Sequence, residues 1–273
     1  MPTLKDKTLF ITGASRGIGK AIALRAAHDG AKIVVAAKTA EPDPRLPGTI
    51  FSAAEEIEQA GGQALPVVVD VRDEDQVRAT VEQAVQRFGG IDILANNASA
   101  ISITGTEETS LKRYDLMMDI NMRSTFACTQ ACLPYLKQAA NPHVLVLSPP
   151  IDLDPKWLGP HPAYTASNYG MSMLALGMAE EFRAFGIAVN GLWPRTIIAT
   201  AALNVARQGA AERGRIPDIM ADAAYRILTS DSRQCSGRLY LDEEVLREAG
   251  MSGFDAYSVS PGVAPQIDLF VTP

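Results

Sequence analysis

Short runs of β-branched and aliphatic residues recur along the chain, and longer stretches with helical spacing separate them. The runs are TLFITG (8–13), KIVVAAK (32–38), ALPVVVDV (64–71), IDILANNA (91–98), HVLVLS (143–148), IAVNGLWP (187–194) and GRLYLD (237–242). A strand with one face in water would alternate apolar and polar residues. These runs are nearly continuous, which predicts strands buried on both faces of a sheet. The intervening segments carry helix start signals. Asp73-Glu74-Asp75-Gln76 opens VRATVEQAVQRFGG, where the Asp73 carboxylate can accept from the free N–H groups of the first turn while Gln76 reaches back. Strand alternating with helix predicts an α/β fold, a doubly wound parallel sheet of about seven strands flanked by helices.

Two segments break this rhythm, EPDPRLPG (41–48) and PPIDLDPKWLGPHP (149–162). The second holds five prolines, and proline removes a backbone donor and clashes with the preceding turn, so neither helix nor central strand is expected there. Both read as ordered loops near strand ends. In an open parallel sheet, ligands bind outside the carboxyl ends of the strands. The second loop leads directly into Tyr164, in AYTASNYGM. No linker, charge block or internal repeat divides the sequence. The expectation is a single domain over 1–273, with a lid near 196–216 and a C-terminal tail over 243–273.

Composition narrows the function classes. The 273 residues are 47% hydrophobic and 21% charged, as expected of a soluble globular protein. A formal net charge of −6 argues against a protein that binds the phosphate backbone of nucleic acid. No apolar run approaches the roughly 20 residues needed for a membrane span, and the N-terminal segment lacks the apolar core of a signal peptide. Cys128, Cys132 and Cys235 are too few for a disulfide framework, so a cytoplasmic location is expected, with Cys128 and Cys132 as small core residues. His28, His143 and His161 show no metal-ligand spacing, and no metal site is expected.

The candidate chemistry begins after the first run, at Thr12-Gly13-Ala14-Ser15-Arg16-Gly17-Ile18-Gly19. Gly13, Gly17 and Gly19 would let the backbone turn tightly and approach a pyrophosphate, while the following helix N-terminus attracts the anion. A protein that selects NAD(H) commonly ends its second strand on Asp or Glu, which holds the ribose 2′-hydroxyl. Here the run ends in Ala37 and Lys38. Lys38 and Arg16 could neutralise a 2′-phosphate, which favours NADP(H) over NAD(H), although NAD(H) stays possible. Both could instead be ordinary solvated charges.

TGASRGIG after the first strand, Asp70-Val71 closing the third, Asn96-Asn97-Ala98-Ser99 closing the fourth and Tyr164 after the fifth occur in this order along nearly the whole chain. Together they resemble the short-chain dehydrogenase/reductase family, with its Rossmann-like fold. Within it, AAKTAEPDPRLPGTIFSAAEEI, NNASAIS, LSPP and ALGMAEEF resemble the branch named for hydroxysteroid dehydrogenase-like protein 2, without the sterol-carrier domain of its animal members. The resemblance implies that Gly13, Ser15, Arg16, Gly17, Ile18 and Gly19 surround the pyrophosphate. It places Asp70 and Val71 beside the adenine, Asn97, Ala98 and Ser99 along the cofactor, and Pro194 and Thr196 at the nicotinamide. Asn121 matches the helix asparagine whose carbonyl holds a relay water. Arg195 stands where the family has glycine, and either solvent or the cofactor phosphates could receive it. A homotetramer or homodimer is implied as well.

The same resemblance makes Tyr164 the acid/base of a reaction that moves a proton while the nicotinamide moves a hydride. A free phenol titrates near 10, so about a thousandth is ionised at pH 7, and a neighbouring cation helps. The family has lysine there; this chain has Asn168, which can still bond ribose hydroxyls. Loss of the cation would cost roughly 10- to 1,000-fold in rate, less for carbonyl reduction, where a neutral phenol is already the required acid. Ser148 is the available orienting hydroxyl, with Pro149 where many relatives have a second serine. Lys156 could substitute for the missing lysine, but reads as a solvated loop residue.

Trp157, Leu158, Pro160 and Pro162, with Leu192, Trp193, Ile197 and Ile198, would give the pocket apolar walls. A lipid-like or terpenoid alcohol or carbonyl compound is the expected substrate. Arg207, Arg213 and Arg215 in the lid could meet an acidic or CoA-linked substrate or lie on the surface. The resulting expectation is an NADP(H)-dependent oxidoreductase. Its alternative is an NADP(H)-binding protein with little or no turnover that acts as a sensor or partner subunit.

Overall fold

A computed structural model describes residues 3–43, 46–206 and 209–272, with side chains omitted for 204–206. Arg207, one of the three expected lid arginines, lies outside the described residues, as do residues 44 and 45 of the first loop. In chain order the elements are β1 (Thr8–Thr12), α1 (Gly17–Ala27), β2 (Lys32–Ala37), α2 (Ile50–Gln59), β3 (Gln63–Val68), α3 (Glu74–Phe88) and β4 (Ile93–Asn96). Then follow α4 (Leu111–Met117), α5 (Ser124–Leu136), β5 (His143–Val146), α6 (Pro155–Leu158), α7 (Pro162–Glu181), β6 (Ala188–Trp193), α8 (Ala201–Ala206), α9 (Asp218–Leu228), β7 (Leu239–Leu241) and α10 (Asp242–Glu248).

The strands form one sheet of order β3-β2-β1-β4-β5-β6-β7, parallel throughout. Each expected run lies on its strand, and the α/β, Rossmann-like reading holds. Strand alternation divides the core. Leu9, Ile11, Ile33, Val35 and Ile93 pack against Ile22, Ala23, Met220 and Ile227 on one face. Phe10, Val34, Leu94 and Val144 pack against Val81, Cys128, Cys132 and Met178 on the other. Both faces are therefore covered, which explains the unalternating apolar runs. Pro66 is accommodated because β3 is an edge strand, where a missing N–H interrupts no outer ladder. Burial pushes the Cys128 thiol up to about 12, which suits a small core residue.

The proline-rich segment departs from the loop expectation. It contains α6, whose first residue is Pro155, and it ends on Pro162, the first residue of α7. Proline at the first helical position gives up an N–H that the helix would leave unpaired anyway. Asp154 supplies the cap, accepting from the Lys156 N–H at 3.0 Å. At α3, Asp73 caps as expected, accepting from the Asp75 and Gln76 N–H groups at 3.0 and 3.1 Å. Gln76 reaches beyond the cap, its Oε1 accepting from the Asp70 N–H at 2.9 Å, and so ties the end of β3 to the helix. No helix among the described residues is long and apolar enough to cross a membrane.

His143, the first residue of β5, is buried, with Nε2 3.2 Å from the Ser230 carbonyl. Burial lowers its pKa from 6.5 to about 4, so the folded chain keeps it neutral. As pH falls, the unfolded chain takes up that proton first. Stability present above pH 6.5 is then lost progressively toward pH 4. Denaturant titrations are expected to show a loss on the order of 3 kcal/mol from this group over that range. His143→Gln should flatten that part of the pH dependence.

Candidate active site

The crevice at the carboxyl ends of β1 and β4 is built from hydrogen bonds of Thr12 and Asn97. The Thr12 hydroxyl accepts from the Asn97 and Ala98 N–H groups at 2.9 and 3.0 Å. Asn97 Nδ2 returns donations to the carbonyls of Thr12 and Gly13 at 2.8 and 3.2 Å. Asn97 thus holds the glycine loop in shape. An added Cβ at Gly19 would lie 2.4 Å from Asn97 Nδ2, and one at Gly13 would lie 2.9 Å from it. Gly13 and Gly17 also have φ of 68° and 58°, a region that favours glycine. Among the described residues no side chain caps the N-terminus of α1, and no acidic residue stands in its first turn. A crevice so shaped, at a helix N-terminus whose first turn carries no acidic residue, fits the pyrophosphate of a dinucleotide.

Gly13, Ser15, Arg16, Gly17, Ile18, Lys38, Asp70, Val71, Asn97, Ala98 and Ser99 all line one cavity of about 390 Å³. Gly19 lies behind it, against Asn97. The two candidate cations have protein partners. Lys38 Nζ is 3.1 Å from Asp70 Oδ2, and Arg16 Nη2 donates to the Gly48 carbonyl at 2.7 Å. Asp70 also receives the Arg72 guanidinium at 2.6 Å. Arg72 first, and then Lys38, hold the Asp70 carboxyl well below the usual carboxylate range.

A second cavity of about 190 Å³ adjoins the first, sharing Ile18, Asn97, Ser99 and Thr200. Tyr164, Asn168 and Pro194 line it, among apolar walls that include Ile101, Ile103, Trp193, Ile197 and Ile198. Tyr164 and Asn168 are buried one turn apart on α7, and Asn168 Nδ2 donates to the Tyr164 carbonyl at 2.9 Å. Burial pushes the Tyr164 phenol well above its ordinary value, the Asp268 carboxylate pushes the same way, and Asn168 as hydrogen-bond partner opposes them. Asn121 sits in a π-helical segment, Met118–Arg123, between α4 and α5. Its side chain accepts from the Ala100 N–H at 2.7 Å and donates to Ser167 Oγ at 2.9 Å, and its carbonyl accepts from Thr125 Oγ1 at 2.7 Å.

Ser148 is not brought to this lining. It is fully buried, its Oγ has no hydrogen-bond partner among the described residues, and a Cβ on Gly191 would lie 3.0 Å from that oxygen. Thr196 is buried beside the Pro194 turn, its Oγ1 likewise without a hydrogen-bond partner among the described residues. Lys156 pairs with Asp154 at 3.1 Å on an exposed turn and is absent from the cavity lining.

Residues 7–210 match the short chain dehydrogenase family. The chain belongs to the short-chain dehydrogenase family. It is 59% identical over 265 residues to hydroxysteroid dehydrogenase-like protein 2 of Xenopus laevis, covering 97% of this chain. It spans 63% of that relative's length. A crystal structure of a putative dehydrogenase from Xanthomonas campestris has a TM-score of 0.97 and 54% identity, over 99% of this chain and 100% of that one. A short chain dehydrogenase from Mycobacterium thermoresistibile has a TM-score of 0.94 and 52% identity, over 99% and 96% of the two chains.

In this short-chain dehydrogenase Arg195 is half-buried and tied to the start of α10. Its N–H donates to Asp242 Oδ1 at 2.8 Å, and its side chain approaches Glu243 at 3.9 Å. Arg215, read as a lid or surface charge, is buried and paired with Glu243 at 2.8 Å. The carboxylates at the start of α10 therefore hold both sides of the 195–215 segment. Nothing in the local sequence around Arg215 signals this, because the partner comes from a distant helix.

The C-terminal tail supplies the residues that sequence reasoning missed. Phe270 is 2% exposed and lies 5.2–6.4 Å, ring to ring, from Tyr169, Trp193, Tyr164, Trp157 and His161. It adopts φ of 67°, a conformation costly for a bulky residue, and the surrounding aromatic rings hold it there. The Trp193 indole donates to the Leu269 carbonyl at 2.9 Å, and Asp268 and Leu269 line the Tyr164 cavity. These residues lie beyond the family match at 7–210, so the motifs gave no signal for them. Phe270→Ala is expected to cost about 3–5 kcal/mol in chemical denaturation, because a large buried ring leaves a cavity. Protease cleavage of the tail should accelerate in parallel.

Proposed function

We propose that the chain is an NADP(H)-dependent oxidoreductase that interconverts a hydrophobic, lipid-like or terpenoid, alcohol and its carbonyl compound. The observation that carries this reading is the pairing of Tyr164 and Asn168 in an apolar cavity that adjoins the glycine-loop crevice. Gly13 to Gly19 and the N-terminus of α1 would hold the pyrophosphate, with Val71, Ala98 and Ser99 along the dinucleotide. Asn168 would hold ribose hydroxyls, and the unpartnered Thr196 hydroxyl would meet the nicotinamide end. Once bound, the nicotinamide supplies or accepts the hydride.

The protein's own part is proton transfer and exclusion of water. Tyr164 Oη would give its proton to the substrate oxygen in reduction and take it back in oxidation. Burial and Asp268 keep this phenol protonated, and Asn168 adds no positive charge. The site is therefore better suited to reduction, where the neutral phenol is the acid required. Apolar walls would keep bulk water from the reacting carbon. We further read 1–273 as one domain in which 196–216 covers the pocket. Exposed Phe126 and Met173 on α5 and α7 support assembly as a homodimer or homotetramer.

The absence of a carboxylate at the end of β2 and the position of Lys38 support NADP(H). The Lys38 ion pair with Asp70 is partly exposed, 58% on the lysine side. Such pairs contribute little, so Lys38 can exchange Asp70 for a 2′-phosphate. Lys38→Ala is expected to raise KM for NADPH by about 10-fold and to leave KM for NADH within about 2-fold. Equal effects on both would count against a 2′-phosphate contact.

A second reading, an NADP(H)-binding protein with little or no turnover, is favoured by Asn168 in place of a cation and by the withdrawn position of Ser148. NADPH consumption across a panel of lipophilic aldehydes and ketones separates the two readings. Under the first, the chain turns over, and Tyr164→Phe abolishes the activity without weakening NADPH binding. Folded, NADPH-bound chain that reduces none of the panel would establish the second. Asn168→Lys should accelerate alcohol oxidation by roughly 10- to 1,000-fold, and carbonyl reduction less, if missing charge limits Tyr164.

A further inference from the structure

The turn that follows β6 is held by a buried carboxylate from the start of α10. β6 and β7 lie side by side, and their ladder ends with Trp193 opposite Leu241. Pro194 has no N–H with which to continue it. The next N–H in the chain, that of Arg195, is taken by the side chain of Asp242. Its Oδ1 accepts this N–H at 2.8 Å and the Glu243 N–H at 2.7 Å. Asp242 is 0% exposed, and its Oδ2 has no hydrogen-bond partner among the described residues. The charged groups around it are Arg195 on the turn, Arg215 in the segment before α9, and Glu243 and Arg247 on α10. All three arginines turn to Glu243, at 3.9, 2.8 and 3.2 Å in that order. A buried carboxylate without its own counter-ion is costly, and the oxygen that it does use serves the turn.

We infer that Asp242 is a positioning residue for the nicotinamide end of the cofactor, fixing the turn over 194–196 in the shape that this ring requires. The tail holds the same turn from the other side. The Asp268 N–H donates to the Arg195 carbonyl at 3.1 Å, and the Ile197 N–H donates to the Gln266 carbonyl at 3.0 Å. Thr196 and Ile267 form an antiparallel bridge. Held in this way, the turn presents Pro194, Ile197 and Ile198 to the Tyr164 cavity and keeps the Thr196 hydroxyl buried. A hydrogen bond to a carboxylate is roughly twice as strong as one to a neutral oxygen, so the charge on Asp242 sets how firmly the Arg195 N–H is held. Burial raises the Asp242 pKa to about 6, the Glu243 carboxylate adds to this, and the two N–H donors and Arg215 oppose it. A proton would enter on Oδ2 and leave Oδ1 a weaker acceptor, so the hold on the turn lessens as pH falls through about 6. The inference deepens the proposed function and rests on its placing of the nicotinamide beside this turn.

Nucleotides with and without the nicotinamide test it by binding alone. Freshly dissolved NADPH is compared with 2′-phospho-ADP-ribose, and NADH with ADP-ribose, by calorimetric titration. Asp242→Asn keeps an acceptor oxygen and removes the charge. At neutral pH it should weaken NADPH and NADH by about 3- to 10-fold and leave the two nicotinamide-free compounds within about 2-fold. In the unaltered chain, the advantage of NADPH over 2′-phospho-ADP-ribose should shrink by about 3- to 10-fold from about pH 7 to about pH 5, and in Asp242→Asn it should stay constant. The 2′-phosphate titrates near pH 6 as well, at about the same place in both compounds, and cancels in the comparison. Melting curves at each pH check that the chain is folded, and if Asp242→Asn does not fold, the pH series on the unaltered chain decides. Equal weakening of all four nucleotides in Asp242→Asn, as a merely structural carboxylate would give, overturns the inference. So does an advantage that does not change with pH in the unaltered chain. No binding of any of the four sinks the inference and the proposed function together. A chain whose NADPH affinity follows Asp242 but which reduces no carbonyl compound sustains the inference and sinks the activity. An active chain whose NADPH affinity ignores Asp242 sinks the inference alone.

Discussion

The arrangement at the top of this sheet depends on how β1 and β4 are joined where the strand order reverses. Two parallel strands that send their connections to opposite faces leave a crevice between their carboxyl ends. Here that crevice is held by a compact set of hydrogen bonds. One threonine hydroxyl accepts from two successive N–H groups, and one asparagine amide grips two carbonyls of the glycine loop. The amide is so close to the loop that side chains at Gly13 or Gly19 would collide with it. The glycines therefore serve two demands at once, the approach of an anion from outside and the approach of Asn97 from within.

The chemistry of the neighbouring cavity follows from what surrounds the Tyr164 phenol. Desolvation opposes ionisation, a carboxylate from the tail opposes it further, and the nearest helical neighbour supplies an amide dipole instead of a full charge. The first two outweigh the third, so the phenol is held protonated. Under the proposed function, Tyr164 would serve as the acid and the site would favour reduction.

Long-range ion pairing shapes the rest of the pocket. Glu243, 4% exposed, receives Arg215, Arg247 and, at longer range, Arg195, while Asp242 accepts from the Arg195 backbone. Buried pairs of this kind contribute modestly to net stability, because desolvation offsets their attraction. Their value here is positional. They fix the turn after β6 and hence the strand-like pairing of 195–197 with the tail, which carries Asp268 and Leu269 into the cavity wall.

Nearly all of the sheet was legible in the sequence, because a strand buried on both faces leaves an unbroken apolar run whatever else the chain does. The glycine loop and the position of Tyr164 were legible for a similar reason, since each is a local motif whose residues are close in the chain. Proline misled locally at 149–162, because the first turn of a helix tolerates what its interior does not. Other features lay beyond any local pattern. Lys38 meets Asp70 across β2 and β3, Arg215 is buried against Glu243, and Ser148 is buried outside the lining of the Tyr164 cavity. The tail lays Phe270 among aromatic rings contributed by β6, α6 and α7 and the residue preceding α7. By itself, then, the sequence determined the order of strands and helices and the elements that carry the reactive groups. Tertiary structure decided which charges pair and which side chains face the cavity, because those outcomes depend on segments distant in the chain that meet only when the sheet closes and its connections pack.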